Sequence, residues 1–202
     1  MKAIILAAGR GVRMMPLTAS TPKTLLQVNG RALFDYSMDL VPANVSEVIV
    51  IISYLGEQIK AYATAHYPNI NFRFLVQPSL GGTAQAMQLA SPYLSGEKFL
   101  VIFADDIHSK IAVARCVEFD LAVLVTETKN PERFGIINMA TDEKLQSRGA
   151  LGRMTKFIEK PKNPESNLAW VGVAVLDDRV FNYTAGQHSS GEYYLTDMID
   201  QL

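Results

Sequence analysis

The fold is decided by a short stretch near the start of the chain, Ala3-Ile4-Ile5-Leu6-Ala7-Ala8-Gly9-Arg10-Gly11. Its first six residues are apolar without interruption, which is typical of a strand buried on both faces, and they predict a strand over Ala3–Ala8. The two glycines that follow leave backbone N–H groups free to face a ligand at close range, an arrangement that suits phosphate. The stretch therefore predicts a buried strand that ends in an anion-binding turn.

Apolar runs of the same kind recur along the first two thirds of the chain. They predict strands over Val48–Ile52, Phe72–Val76, Phe99–Phe103 and Leu121–Thr126. The segments between them are long enough to cross the sheet as helices, which we predict over Ala32–Val41, Gly56–His66, Thr83–Ala90 and Lys110–Glu118. This alternation of strands and helices predicts an α/β protein with parallel strands.

After about Asn130 the pattern changes to strands separated by polar loops with prolines. We predict a mixed sheet here that carries substrate loops, and a flexible excursion around Thr141–Gly152. No stretch of linker composition divides the chain, so we expect a single domain over residues 1–202. The predicted strands of this part are Gly135–Met139, Thr155–Ile158 and Val171–Leu176.

The charges of the chain are nearly balanced, with 19 Lys and Arg against 20 Asp and Glu. Such a balance gives no general attraction to nucleic acid or to an anionic membrane, and we expect neither as a partner. The N-terminus lacks the features of a signal peptide, and no stretch approaches the about 18 apolar residues of a membrane span. The single cysteine, Cys116, fits a reducing compartment, and we expect a cytoplasmic protein.

Two cations, Arg13 and Lys23, follow the glycines on the same loop, a local concentration of charge that suits a triphosphate. Two well-known phosphate motifs do not fit this loop. The P-loop requires Gly-Lys-Ser/Thr where Met14-Met15-Pro16 stands, and the dinucleotide fingerprint requires a third glycine at Met14. A dinucleotide-dependent oxidoreductase is therefore disfavoured, and a tight turn with solvated cations is the remaining alternative.

Four blocks of sequence resemble the sugar-1-phosphate nucleotidylyltransferase family, closest to its glucose-1-phosphate thymidylyltransferase branch. The blocks are Leu6–Arg13 with Pro16–Thr18 and Pro22-Lys23, Val76–Ala86, Glu159–Pro161 with Asn167–Gly172, and Gly191–Asp197. The chain departs from the family at Ala8, where many members have Gly, and at Val12, where most have Thr. The resemblance implies a Rossmann-like fold of three layers around a mixed, mostly parallel sheet, the nucleotide-diphospho-sugar transferase type.

The resemblance also implies transfer of a nucleotidyl group from a nucleoside triphosphate, with dTTP or UTP favoured, to a sugar-1-phosphate, with glucose-1-phosphate favoured. Pyrophosphate is released, and catalysis is mostly alignment and charge neutralisation with Mg²⁺ as cofactor. The nucleotide-binding part is expected at about residues 1–130 and the sugar-phosphate-binding part at about residues 131–202. Members usually continue into a strand with a second metal-binding Asp, so we expect the C-terminal end of the usual domain to be missing. A non-catalytic regulatory protein that binds nucleotide sugars is the alternative.

The resemblance assigns the nucleotide contacts residue by residue. Gly9 and Gly11 present amides to the triphosphate, Arg13 holds the β- and γ-phosphates, and Lys23 bridges the α-phosphate and the incoming phosphate. Gln77 pairs with the carbonyl and imide edge of a pyrimidine, for which a solvated side chain is the alternative. The full set of expected nucleotide contacts is Leu6, Ala7, Ala8, Gly9, Gly11, Gln77 and Gly82.

Asp105 closes the fourth predicted strand, and ligands of open α/β sheets bind at the carboxyl ends of strands. We predict that Asp105 is catalytic, together with Arg13 and Lys23, and that it binds Mg²⁺, which accepts one or two carboxylates plus phosphates and water. A helix N-cap is the alternative, although Ser109 is itself a good cap. Asp106 is expected to be a solvated neighbour.

The resemblance places the sugar-phosphate contacts at Gly135, Glu159, Lys160, Val171 and Gly172. Glu159 accepts hydrogen bonds from sugar hydroxyls and Lys160 meets the phosphate, and an exposed charge pair is the alternative. Tyr193, Tyr194 and Leu195 either join the last helix to the core or face a partner subunit, which leaves a homo-oligomer open.

Overall fold

The computed structural model describes residues 1–202 and contains an eight-stranded sheet and a two-stranded sheet. The strands are β1 (Lys2–Leu6), β2 (Gln27–Val28), β3 (Arg31–Ala32), β4 (Val48–Ile52), β5 (Phe72–Val76), β6 (Phe99–Phe103), β7 (Ala122–Glu127), β8 (Gly135–Ala140), β9 (Arg153–Glu159) and β10 (Leu168–Leu176). The α-helices are α1 (Leu33–Met38), α2 (Gly56–His66), α3 (Thr83–Ala90), α4 (Lys110–Val117), α5 (Glu143–Ser147) and α6 (Leu195–Gln201). None of these helices has the length and apolar character needed to cross a bilayer.

The large sheet has the strand order β5-β4-β1-β6-β10-β8-β9, and β7 pairs with the outer side of β10. The strands β5, β4, β1 and β6 pair in parallel. By contrast, β10 is antiparallel to β6, β7 and β8, and β9 is antiparallel to β8. All strands of the large sheet except β9 and β10 therefore run in one direction, which confirms the predicted α/β fold with a mixed, mostly parallel sheet.

Helices cover both faces of the sheet and create three layers. On one face, α3 and α6 pack against a core that includes Ile49 and Ile51. On the other face, α1, α2 and α4 pack against a core that includes Val48 and Val50. Successive side chains of a strand point to opposite faces, so β4 supplies both cores, and this is why its sequence is apolar without a break.

The predicted bounds of β4, β5, β6, α2 and α3 agree with the structure residue for residue, and most other elements differ by a few residues at their ends. β1 ends at Leu6 rather than Ala8, although Ala7 and Ala8 remain buried. The segment around Thr141–Gly152, predicted as a flexible excursion, contains the short helix α5. Asp142 caps this helix by accepting a hydrogen bond from the Leu145 amide at 3.1 Å, and such a cap is a signal that the sequence displays.

The position of β10 was not predicted. β7 runs parallel to β6 as expected, but β10 lies between them. The register of β10 against β7 shifts between Trp170 and Ala174, and Gly172 in this stretch has φ of +76°. A Cβ at Gly172 would lie 2.7 Å from the Cβ of Phe103, so glycine allows β10 to bend against the end of β6.

Candidate active site

The glycine turn lies directly after β1, at the edge of the sheet where the parallel strands end. Gly11 has φ of +64° and its carbonyl accepts a hydrogen bond from the buried Thr18 hydroxyl at 2.9 Å. A Cβ at Gly11 would lie 2.9 Å from Thr18 Cγ2 and 3.1 Å from Lys23 Cβ. Gly9 is exposed, and a Cβ there would meet no protein atom. The turn is therefore packed on the side of Gly11 and open on the side of Gly9.

Lys23 and Asp105 form an ion pair beside this turn. The Lys23 ammonium lies 2.5 Å from a carboxylate oxygen of Asp105, and the two side chains are 23% and 40% exposed. Lys23 also packs close to Gly11, whereas Asp105 comes shortly after β6. The fold thus brings a predicted catalytic cation and the predicted metal ligand into contact across 82 residues of sequence.

Asp105 does not cap the helix that follows it. The hydroxyl of Ser109 accepts a hydrogen bond from the Ala112 amide at 3.4 Å and is the N-cap of α4. Asp106 is exposed at its surface, yet partial burial and the neighbouring Asp105 carboxylate raise the pKa of Asp106 above its usual value. The Asp105 carboxylate therefore serves no helix cap; its partner is the Lys23 ammonium, and a second acid lies next to it in sequence.

The residues present fit a magnesium ion whose coordination is completed by substrate. The chain contains no group of three or more His, Cys, Asp or Glu side chains that could hold a metal ion on their own. Mg²⁺ usually keeps several waters and binds through one or two carboxylates together with substrate phosphates. The partly exposed Asp105 beside a phosphate-type turn has this donor chemistry.

Arg13 lies on a single turn of 3-10 helix, Val12–Met14, that follows Gly11. Its side chain is exposed and forms no ion pair with another residue of the chain. The nearby Arg10, which the sequence analysis did not single out, lies over the ring of Tyr54 with 5.2 Å between the guanidinium carbon and the ring centroid. Arg13 is therefore a free cation at the mouth of the turn, whereas Arg10 is partly held by an aromatic contact.

Gln77 is only 4% exposed, which rules out a solvated side chain. Its backbone N–H donates to Ile52 and its carbonyl accepts from the Ser53 hydroxyl at 3.0 Å, so the backbone is fixed at the end of β5. The side-chain amide nitrogen donates to the Gly82 carbonyl at 3.2 Å. This contact leaves the amide oxygen of Gln77 as the atom that can accept from a ligand.

Gly82 is held by the C-terminal segment of the chain. It has φ of +99°, and a Cβ there would lie 2.3 Å from the Tyr193 carbonyl oxygen. Tyr193 donates from its amide to the Gly81 carbonyl at 2.8 Å and accepts from the Ala84 amide at 3.0 Å. The backbone of Tyr193 therefore fixes the glycine pair and joins the segment before α6 to α3. Such a join to the core is one of the two alternatives weighed from sequence, but no sequence pattern identified Gly81 and Gly82 as the residues contacted.

Gly135 and Glu159 lie opposite each other on β8 and β9. A Cβ at Gly135 would lie 2.8 Å from the Phe157 ring, 3.0 Å from Thr196 Cγ2 and 3.1 Å from a Glu159 carboxylate oxygen. The Glu159 side chain is only 11% exposed. The absence of a side chain at Gly135 therefore leaves room around a nearly buried carboxylate.

Lys160 follows with an uncommon backbone conformation, φ of +44°. Its ammonium lies 3.1 Å from Glu159 Oε1 and 3.1 Å from the Tyr194 hydroxyl. Burial lowers the pKa of Lys160, but the hydrogen bond to Tyr194 and the charge of Glu159 outweigh it and raise the pKa above its usual value. Glu159 and Lys160 thus pair a nearly buried carboxylate with a half-exposed ammonium, whereas the alternative weighed from sequence had both charges exposed.

Val171 and Gly172 lie at the bend of β10, where Gly172 packs on Phe103 two residues before Asp105. The ring of Trp170 is buried between those of Phe103 and Phe157, with centroid distances of 4.9 Å and 5.4 Å. The bend therefore connects the predicted sugar-phosphate residues to the end of β6. A separate apolar cavity of about 590 Å³ beside β7 and α4 contains none of the predicted site residues.

Comparison with known proteins gives a family match along nearly the whole chain. The profile of the family described as Nucleotidyl transferase matches residues 2–202. The chain is 34% identical over 204 residues to the Bifunctional protein GlmU of Methanocaldococcus jannaschii, covering 100% of this chain and 47% of that protein. It is 28% identical over 212 residues to the UTP–glucose-1-phosphate uridylyltransferase AglF of Haloferax volcanii, covering 100% and 83%. The chain spans about half the length of the GlmU relatives that it matches.

Two solved structures share the fold. One, described as a glucose-1-phosphate thymidylyltransferase from Bacillus anthracis in complex with sucrose, gives a TM-score of 0.76 at 28% identity and covers 91% of this chain and 74% of its own. A UDP-glucose pyrophosphorylase complexed with UDP-glucose gives a TM-score of 0.79 at 20% identity, with 99% and 85% covered, and shows the fold alone. The sequence blocks, the fold and the profile agree, and the chain belongs to the nucleotidyl transferase family.

Proposed function

We propose that this protein transfers a nucleotidyl group from a nucleoside triphosphate to a sugar-1-phosphate and releases pyrophosphate. The observation that carries the proposal is the Lys23–Asp105 ion pair beside the Gly11 turn. In this pair a lysine that can bind phosphate contacts a carboxylate that can bind Mg²⁺, and both side chains are partly exposed to solvent. The family match and the name of the AglF relative support the same class of reaction.

The glycine turn binds the triphosphate in this proposal. Gly9 is exposed and its Cβ position is open, so phosphate oxygens reach the backbone amides without meeting a side chain. Arg13 is exposed, forms no ion pair and binds the β- and γ-phosphates that leave as pyrophosphate. A chain with net charge of −1 attracts this anion through these local groups rather than through its overall field.

The reaction joins two anions. An oxygen of the sugar phosphate attacks the α-phosphorus, a new P–O bond forms, and the bond to the bridging oxygen of the leaving pyrophosphate breaks. Lys23 leaves Asp105 and neutralises the α-phosphate and the incoming phosphate. When bound at Asp105, Mg²⁺ supplies further charge neutralisation. Because negative charge grows on the phosphoryl oxygens in the transition state, Lys23 contributes more to turnover than to nucleotide binding.

The base is a pyrimidine with an N–H donor at N3. Gln77 uses its amide nitrogen on Gly82, so its oxygen accepts, and the imide N–H of uracil or thymine satisfies it whereas cytosine N3 does not. Thymine and uracil differ by one methyl group, which a pocket distinguishes by only about 1–3 kcal/mol. UTP and dTTP are therefore both proposed as substrates.

The acceptor is a sugar-1-phosphate, with glucose-1-phosphate favoured. Glu159 is nearly buried beside the side-chain-free Gly135 and accepts hydrogen bonds from sugar hydroxyls. Lys160, at the end of the same strand, meets the phosphate. Gly172 packs against Phe103 at the end of β6, two residues before Asp105, and so connects the sugar-phosphate residues to the proposed metal ligand.

Pyrophosphate release with Mg²⁺ tests the proposal directly. We expect turnover with UTP or dTTP and glucose-1-phosphate, less with CTP, and a selective response to a panel of other sugar-1-phosphates. Asp105→Asn should remove most activity and raise the Mg²⁺ concentration needed for the rest, whereas the matched variant Asp120→Asn, at a side chain 97% exposed, should not. Nucleotide-sugar binding without turnover would instead establish the regulatory alternative.

A further inference from the structure

The ammonium group of Lys160, whose side chain is 48% exposed, contacts Tyr194, which lies more than 30 residues away in sequence. It donates a hydrogen bond to the Tyr194 hydroxyl at 3.1 Å, and it lies 4.4 Å from the centroid of the same ring. The Tyr194 hydroxyl in turn donates to a Glu192 carboxylate oxygen at 2.6 Å. Hydrogen bonds arranged in such a series strengthen one another, so Glu192 makes the Tyr194 oxygen a better acceptor for Lys160.

The support for Tyr194 is rigid. The preceding residue, Tyr193, is bonded through its backbone to Gly81 and Ala84, and the following residue, Leu195, donates its amide to the Thr83 hydroxyl at 2.8 Å. Leu195 is completely buried. Hydrogen bonds therefore hold the backbone on both sides of Tyr194. Lys160, by contrast, has a long side chain that loses much rotamer entropy when it is held in one conformation.

The geometry points to Tyr194 as a positioning residue that holds the Lys160 ammonium beside Glu159, ready for the phosphate of the sugar substrate. This role rests on the proposed function. Tyr194 acts through Lys160, by a hydrogen bond from the ammonium and by the contact of the cation with the ring face. Its loss therefore weakens the binding of the sugar phosphate and spares that of the nucleotide.

Tyr194→Phe isolates the hydroxyl, because it keeps the ring and its packing. We expect the KM for glucose-1-phosphate to rise about fivefold, or about 1 kcal/mol, with the KM for UTP and kcat changed less than about twofold. Tyr183→Phe is the matched control, since Tyr183 follows the Asp178–Asn182 turn and lies outside the proposed site. A Tyr194→Phe enzyme with an unchanged KM for glucose-1-phosphate would overturn the role.

A double-mutant cycle separates positioning from a purely structural effect. In the background of Lys160→Met, Tyr194→Phe should cause no further rise in the KM for glucose-1-phosphate, because the group that it positions is gone. If the two substitutions together multiply their separate effects on the KM for glucose-1-phosphate, or if the KM for UTP rises equally, Tyr194 acts on the structure and not through Lys160.

A labelling experiment gives a readout that does not depend on activity. Brief acetylation with acetic anhydride, followed by mass spectrometry, compares Lys160 with the nearby Lys162 in the same molecule. Tyr194→Phe should increase the relative labelling of Lys160 at least about twofold, because the ammonium loses a hydrogen bond that keeps it protonated. If the wild type releases no pyrophosphate, the proposed function fails while the labelling still decides the contact. If the wild type is active and labelling and KM are both unchanged, the inference alone fails.

Discussion

The two halves of the sheet build their parts of the site in different ways. In the parallel half, formed by β5, β4, β1 and β6, three parts of the site come shortly after a strand: the glycine turn after β1, Gln77 after β5 and Asp105 after β6, although Lys23 reaches Asp105 across 82 residues. In the antiparallel half, formed by β8, β9 and β10, the site depends on contacts between distant segments, such as Lys160 with Tyr194. Most site residues of the parallel half are therefore positioned by the end of the preceding strand, whereas those of the antiparallel half depend on contacts between segments that are distant in sequence.

This difference implies a division of labour that substitutions can test. In the function that we propose, the parallel half holds the nucleotide and the reacting phosphates, whereas the antiparallel half selects the acceptor sugar. Changes in the first should alter turnover or nucleotide affinity, and changes in the second should alter the KM for the sugar phosphate. The bend at Gly172 against Phe103 is the place where the two halves meet.

The largest effect is expected from Lys23→Ala. Loss of the cation that meets growing negative charge should lower kcat about 10²–10³-fold and change the Kd for UTP only a few-fold. Steady-state kinetics and calorimetric titration measure the two quantities. Lys60→Ala, at a side chain 52% exposed on α2, is the control. An intact kcat in Lys23→Ala would remove Lys23 from the mechanism.

Gly82→Ala should reduce stability, whereas Gly9→Ala should not. A Cβ at Gly82 meets the Tyr193 carbonyl oxygen at 2.3 Å and the residue has φ of +99°, so we expect a loss of about 2–3 kcal/mol in the free energy of unfolding. At Gly9 the Cβ position is open, so only nucleotide affinity should fall. Urea unfolding and UTP titration of both variants check the contrast, and equal losses of stability would contradict it.

Glu159→Gln should affect the sugar phosphate alone. The neutral amide keeps the shape of the side chain but loses the charge that attracts sugar hydroxyls and pairs with Lys160, so the KM for glucose-1-phosphate should rise about tenfold. The KM for UTP should not change. Glu132→Gln, at an exposed residue before β8, is the control. Equal changes in the KM for glucose-1-phosphate and the KM for UTP would contradict the proposed division between the halves.

The smallest effect is expected from pH. Burial lowers the pKa of Lys160, but the hydrogen bond to Tyr194 and the charge of Glu159 together raise it above its ordinary 10.5. A lysine with a raised pKa stays mostly charged until the pH comes within about one unit of that value, and it loses its charge gradually as the pH rises through it. The KM for glucose-1-phosphate should therefore stay constant between about pH 8 and pH 9. A rise that begins below about pH 9 would show that Lys160 does not carry the phosphate contact.

The sequence predicted the strands of the parallel half more closely than those of the antiparallel half, and the roles of the site residues stay predictions. Continuous apolar runs and glycine turns are local signals, so β4, β5 and β6 were placed residue for residue. The insertion of β10 between β6 and β7 depends on long-range pairing, for which no local pattern exists. The contacts of Tyr193 with Gly82 and of Tyr194 with Lys160 are also long-range, so the sequence marked the two tyrosines without showing which residues they contact.

A crystal structure with UTP and Mg²⁺ bound tests most directly whether the glycine turn receives the triphosphate. The expected result is that phosphate oxygens lie against the amides of Gly9 and Gly11, and that the Lys23 ammonium has moved from Asp105 to a phosphate. A nucleotide bound elsewhere, with the turn empty and the Lys23–Asp105 pair intact, would contradict it.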